Sequence, residues 1–123
     1  MKNPKTWIII GGCLGFLAVA LGAFGAHGLK DSLTPELMEI YKTGVLYHLV
    51  HSAVILAIGL GGNEKYYGSA AFFSAGIVLF SFSLYAYAIT SITALAIITP
   101  LGGMSFLAGW LLLVIQAVRP AKS

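Results

Sequence analysis

Charge is the scarcest thing in this chain. Only 9% of its 123 residues are Asp, Glu, Lys or Arg, while 59% are hydrophobic; soluble domains carry roughly 25% charged residues. A water-soluble domain of this size has too much surface for its volume to hide so much apolar side chain. The medium for most of the chain is therefore expected to be lipid. Cysteine is nearly absent. Cys13 stands alone, which excludes an intramolecular disulfide and any cysteine-based metal cluster, and in an apolar run its thiol behaves as a small hydrophobe. No Asp or Glu falls inside a long apolar run, so no carboxylate is available there to orient a histidine beside a serine nucleophile. Basic residues do not cluster. Lys2, Lys5, Arg119 and Lys122 sit at the two tips, which is not the one-faced stripe that nucleic acid requires, and no nucleic-acid partner is expected. The pairs Gly11-Gly12 and Gly61-Gly62 precede no Lys-Ser or Lys-Thr, so neither is a phosphate loop.

What is present is a set of apolar runs. Trp7 to Phe24 is uncharged over 18 residues, close to the roughly 20 that a crossing needs, with Trp7 placed as an interfacial aromatic. A signal peptide is the rival reading, since lysines precede the run and Ala23-Phe24-Gly25 offers small residues for cleavage. A signal core spans about 7–15 residues, and this run is longer. Ile10-Gly11-Gly12-Cys13 resembles a lipoprotein cleavage box, but few apolar residues precede it. The first crossing is rich in small residues: Gly11 and Gly15 form a GxxxG pair, and Ala18, Gly22 and Ala26 continue the spacing of four. Such a stripe lets backbones approach closely in lipid. Packing within the chain is the first reading and dimerisation the second.

Thr34-Pro35-Glu36 reads as a helix start: Thr34 as N-cap, Pro35 in the first position, Glu36 in the positive first turn. From Pro35 the helix is expected to run unbroken to about Gly59. Leu37, Ile40, Tyr41 and Gly44 fall on one side of its first turns, with Glu36, Glu39 and Lys42 elsewhere. Residues 61–65 make a polar turn, with Tyr66 and Tyr67 at the interface. Gly68 to Ile89 adds 22 uncharged residues, and Thr90 to Thr93 form a polar break. The last run, Ala94 to Val118, contains Thr99-Pro100 and admits two starts. A kinked helix begins near Ala94, or a straight one near Pro100.

The expected fold class is all-α: a four-helix transmembrane bundle forming a single integral membrane domain over 1–123. Its crossings fall at about 7–26, 43–60, 68–89 and 98–118, with an amphipathic lead-in at about 35–43. Four crossings put both termini on one side. The tips and the turn at Lys65 hold five of the seven Lys and Arg residues, so that side is expected to be the cytoplasm of a cell membrane.

Several motifs resemble the YgdD/YwdK-like family of small bacterial inner-membrane proteins, which has animal relatives among small transmembrane proteins. They are Gly22-Ala23-Phe24-Gly25-Ala26-His27-Gly28-Leu29, Tyr47 with His51, Phe80-Ser81-Phe82-Ser83-Leu84-Tyr85, Thr99-Pro100-Leu101-Gly102-Gly103 and Gly109-Trp110. The likeness runs from Trp7 to about Ala117. Phe82 departs from it, standing where the family pattern has glycine. The resemblance implies a four-helix integral membrane protein. It implies no activity and supplies no catalytic residues.

The candidate chemistry rests on three histidines, all within Gly22 to Ser52. Tyr41, Gly44, His48, His51 and Ile55 share one stripe of the second helix, and His27 ends the first crossing at the outer level where that helix begins. A cluster of His27, His48 and His51 near the outer surface is the candidate site. Three roles are open to it: hydrogen-bonding glue between helices, proton transfer or pH sensing, and ligation of haem or a metal. With no Cys or intramembrane carboxylate beside them, the metal signal is weak, and no cofactor, metal or catalytic residue is assigned. The expected function is that of a non-enzymatic membrane protein acting by association with the lipid bilayer, a second copy of itself or an envelope protein complex. A small transporter or channel subunit is the first alternative, and a haem- or metal-binding membrane protein the second.

Overall fold

The structure, a computed structural model, describes residues 2–120; Lys122, one of the tip charges, lies outside the described residues. All regular structure among the described residues is helical. Four helices are long and apolar enough to cross a membrane: α1 Pro4–Gly28, α2 Pro35–Gly61, α3 Glu64–Thr90 and α4 Leu95–Val118.

Caps set the helix bounds. The Asn3 side chain accepts the Lys5 N–H at 2.9 Å, and Pro4 occupies the first turn, so α1 begins ahead of Trp7. Thr34 caps α2 through Oγ1, which accepts the Leu37 N–H at 3.2 Å, with Pro35 in the first position. α2 is continuous to Gly61 and stops because Gly62 turns left-handed at φ 68°, its N–H shared by the Ile58 and Gly59 carbonyls. Asn63 starts α3 at once, accepting the Lys65 N–H at 3.2 Å. The connection is therefore shorter than the polar run suggests. Ser91, at φ 57°, ends α3. Of the two starts open for α4, the earlier is adopted. Leu95, Ala96 and Ile97 donate to carbonyls three residues back, and Pro100 lies inside the helix.

The helices run up and down in chain order, each packed chiefly on its neighbour in sequence, with α1 and α4 on the outside. Glycines let α1 and α2 meet backbone to backbone. A Cβ on Gly11 would sit 2.6 Å from the Leu56 nitrogen, and one on Gly59 would sit 2.7 Å from the Ile8 nitrogen. Much of the small-residue stripe is thus spent inside the chain, while Gly12 faces open space. One core joins Trp7, Ile55, Tyr67, Phe73, Ile77 and Phe106; a second, toward the other end, joins Leu29, Tyr41, Tyr85 and Ala88. The exterior is apolar, with Phe16 and Val118 each 78% exposed, as hydrocarbon solvent requires.

α3 is not uniform. Ile77–Ser81 form a π segment in which the Phe82 N–H reaches the Ile77 carbonyl. Glycines press on this segment from both sides. A Cβ on Gly102 of α4 would lie 2.2 Å from the Phe80 nitrogen, and one on Gly44 of α2 would lie 3.2 Å from the Ser81 carbonyl oxygen. The Phe82 ring stands edge-on to His48 at 5.5 Å.

Candidate functional site

The face of α2 that the sequence marked as a stripe is the one turned inward: Tyr41, Gly44, His48, His51 and Ile55 are all buried. His48 is the midpoint of the 27-residue α2 and is fully buried. Its Nδ1 lies 2.8 Å from the Tyr85 hydroxyl of α3. Its Nε2 has no hydrogen-bond partner among the described residues, and the nearest backbone on the α1 side is that of Leu14, whose carbonyl is the polar group available to it. A carbonyl can only accept. A proton on Nε2 therefore suits this neighbour, and Nδ1 then accepts from Tyr85.

His51, one turn on, is arranged the other way. Its Nδ1 is 2.7 Å from the Tyr47 carbonyl, and its Nε2 receives the indole N–H of Trp110 at 3.1 Å. Indole nitrogen only donates and a carbonyl only accepts, so both ring nitrogens are assigned: Nδ1 carries the proton and Nε2 is bare. The ring stacks on Phe106 at 3.8 Å and 12°, with Phe73 at 5.3 Å. The two histidines thus tie α2 to every other helix, His48 toward α1 and α3, His51 toward α4. A helix needs such ties in lipid, where burial of apolar surface gives helices little reason to associate.

His27 does not join them. It is exposed at the end of α1, while His48 and His51 lie in the interior of α2. Among the described residues no three His, Cys, Asp or Glu side chains are grouped to hold a metal ion. His51 has no nitrogen left for a ligand. The serines mostly bond backbone carbonyls: Ser52 to His48, Ser74 to Ala70, Ser83 to Phe80, and Ser105 across to Phe72. Ser83 also meets Thr99 of α4 at 2.6 Å. Buried Ser81 has no partner among the described residues; the Ile77 carbonyl that a helical serine would use takes the Phe82 N–H of the π segment. Tyr41 donates its hydroxyl to the Leu21 carbonyl of α1, and its ring lies 5.1 Å from that of Tyr85.

The feature that residue-by-residue reading did not locate is a groove of about 460 Å³ open to the lipid side, between α2 and α4 over the π segment of α3. Tyr47, His51, Phe80, Met104, Phe106 and Trp110 line it, and Pro100 and Gly103 leave it open. Its signal was present at helical spacing: Tyr47 and His51 are four apart, as are Phe106 and Trp110. What spacing did not show was that the two pairs face each other. The Tyr47 ring sits 4.8 Å from Phe80 and 6.1 Å from Phe106. Its hydroxyl has no hydrogen-bond partner among the described residues, and the residue is 40% exposed.

Comparison with known proteins supplies the remaining observation. Residues 21–103 match the family described as "Protein of unknown function (DUF423)". The chain is 42% identical over 120 residues to the UPF0382 membrane protein YwdK of Bacillus subtilis strain 168, covering 94% of this chain and 98% of that protein. It is 42% identical over 120 residues to a UPF0382 membrane protein of Staphylococcus epidermidis, covering 94% of this chain and 97% of the relative. The UPF0382 inner membrane protein YgdD of Escherichia coli K12 is 40% identical over 121 residues, covering 95% of this chain and 92% of that protein. No solved structure matches the chain.

Proposed function

The chain belongs to the DUF423 (UPF0382) family of membrane proteins, and from that premise we propose that it works without enzymatic chemistry, by binding lipid along its apolar surface between α2 and α4. The observation that carries this reading is the aromatic groove between α2 and α4. It opens on the apolar exterior between α2 and α4 and is bounded by rings that the His51–Trp110 bond holds in place. Small-molecule sites share this make-up, a mostly apolar hollow with a few placed polar groups.

A transport pathway has less support. The three histidines do not line one route, and both interior histidines are packed among rings and backbone. The family's inner-membrane relatives and the bias of Lys and Arg toward the tips and the turn at Lys65 support a multi-pass cell-membrane protein with both termini cytoplasmic. In that placement the hydrocarbon encloses about 7–26, 43–60, 68–89 and 98–118, and residues 35–43 lie at the headgroups. Phospholipids brominated at mid-chain test the reading. In a Trp7→Phe background, reconstituted protein is expected to lose Trp110 fluorescence to the bromines, and Gly103→Leu, whose side chain grows into the groove, is expected to restore part of it. Equal quenching in the two proteins would show that no chain enters.

A further inference from the structure

The two ends of the bundle differ in charge. Up-and-down connectivity places the start of α1, the turn between α2 and α3 and the end of α4 at one end. Packing holds them together there. A Cβ on Gly59 would lie 2.7 Å from the Ile8 nitrogen, one on Gly68 would lie 3.1 Å from Leu112 Cδ2, and the Trp7 and Tyr67 rings are 6.1 Å apart. This end carries Lys2, Lys5, Lys65 and Arg119 against the single acid Glu64. The opposite end carries Lys30 and Lys42 against Asp31, Glu36 and Glu39. Pairing differs as well. Lys42 meets Glu39 at 3.9 Å, whereas none of the four basic residues at the first end has a carboxylate partner among the described residues. The Lys65 ammonium lies over the Tyr66 ring at 5.2 Å, a contact that holds the charge without neutralising it.

The level of these charges follows from the helices that carry them. Each lies within a turn of the end of a helix long and apolar enough to cross a membrane, which puts it at the headgroup layer. Uncompensated cations at that layer meet lipid phosphates, and a surface of anionic lipid attracts each Lys or Arg that lies against it. A zwitterionic headgroup carries its own cation beside the phosphate and answers the excess less well. We infer that this end of the bundle is a binding surface for anionic glycerophospholipid, whose phosphodiester has no compensating ammonium and takes basic residues supplied by α1, the α2–α3 turn and α4. The surface is separate from the groove between α2 and α4: it selects a headgroup, where the groove takes a chain.

The test is native mass spectrometry of the full-length protein in detergent, titrated with equal amounts of dioleoyl phosphatidylglycerol and dioleoyl phosphatidylcholine. Phosphatidylglycerol is expected to bind in preference. That preference should fade between about 0.1 and about 1 M ammonium acetate, as the screening length falls from about 10 to about 3 Å. Lys5→Gln, Lys65→Gln and Arg119→Gln are each expected to lower it about fivefold, or about 1 kcal/mol per charge at such a surface. Lys65→Arg keeps the charge and the preference, and Lys30→Gln, at the opposite end, leaves the preference unchanged. Glycerol 3-phosphate in excess is expected not to displace the lipid. Equal binding of the two lipids, a preference indifferent to salt, or a loss as large in Lys30→Gln as in Lys65→Gln would overturn the inference. Displacement by glycerol 3-phosphate would overturn it too, making the ligand a free phosphate ester. Quenching of Trp110 by mid-chain bromines in phosphatidylcholine reports on the groove alone and is expected to be the same in all of these variants.

Discussion

Adjacent glycines in α4 should respond to the same substitution in opposite ways. At Gly102 a new Cβ would lie 2.2 Å from the Phe80 nitrogen and 2.7 Å from the Leu79 carbonyl carbon. These are backbone atoms of the π segment and cannot rotate aside. Ordinary contact begins near 3.4 Å, so α4 must retreat by about 1 Å, a gap that forfeits a quarter to a half of the attraction at each contact it opens. Overpacking of this kind costs about 1–3 kcal/mol, occasionally more. The retreat also pulls on Ser83–Thr99 and Trp110–His51, both of which bridge to α4. At Gly103 the same Cβ meets only Phe80 Cδ1, at 3.8 Å. Alanine there adds helix propensity, at most about 1 kcal/mol and less where lipid already enforces the helix. Gly102→Ala is therefore expected to lose about 2 kcal/mol, and Gly103→Ala to be neutral or slightly stabilised. Unfolding in mixed micelles, followed by circular dichroism against rising SDS, reads both. Indistinguishable midpoints for the two variants would refute the close approach of Gly102 to the backbone of the π segment.

The bond between His51 and Trp110 can be weighed by a double-mutant cycle of His51→Ala and Trp110→Phe, whose coupling is expected near 0.6 and no higher than about 1.7 kcal/mol, the span measured for hydrogen bonds between membrane helices; zero coupling would show the bond does not form. Nitrogen NMR of labelled histidine should find His51 protonated on Nδ1 with a bare Nε2, and Tyr85→Phe should move the His48 resonances while leaving those of His51 in place. Gly25→Ala puts a Cβ 2.2 Å from Tyr41 Cε1, so the Tyr41 hydroxyl should leave the Leu21 carbonyl at a cost of about 1–3 kcal/mol; a melting temperature equal to the parent's would contradict the close approach of α1 to α2. Reporter fusions at Gly62 and after Asp31 should report opposite sides of the membrane, with Gly62 on the side of both termini.

Much of the architecture was legible because it follows from one-dimensional free energies. Uncharged runs near 20 residues can only be comfortable in lipid, and the Thr34-Pro35-Glu36 start needs no knowledge of neighbours, since a cap bonds its own helix. The stripe from Tyr41 to Ile55 was legible for the same reason: polar groups on an otherwise apolar helix turn inward. The start of α1 at Pro4 was missed, though Asn3-Pro4 carried the signal in the same capping logic that succeeded at Thr34. The start of α4 was ambiguous because proline penalises a helix interior without forbidding it, and the bonds that carry the chain from Ile92 to Ile97 are not written in composition.

The chain alone determined its solvent, the number of its long apolar helices, its family likeness and the side of α2 that turns inward. Tertiary structure decided that His48 and His51 take opposite bonding roles while His27 stands apart, that Gly102 is pressed against backbone while Gly103 is not, and that Tyr47, Phe106 and Trp110 enclose one hollow. The division has a physical cause. In lipid, apolar burial scarcely distinguishes one rotation or register of a helix from another, so the choice falls to contacts decided at the level of an ångström. Those depend on where two helices meet, which no single helix records.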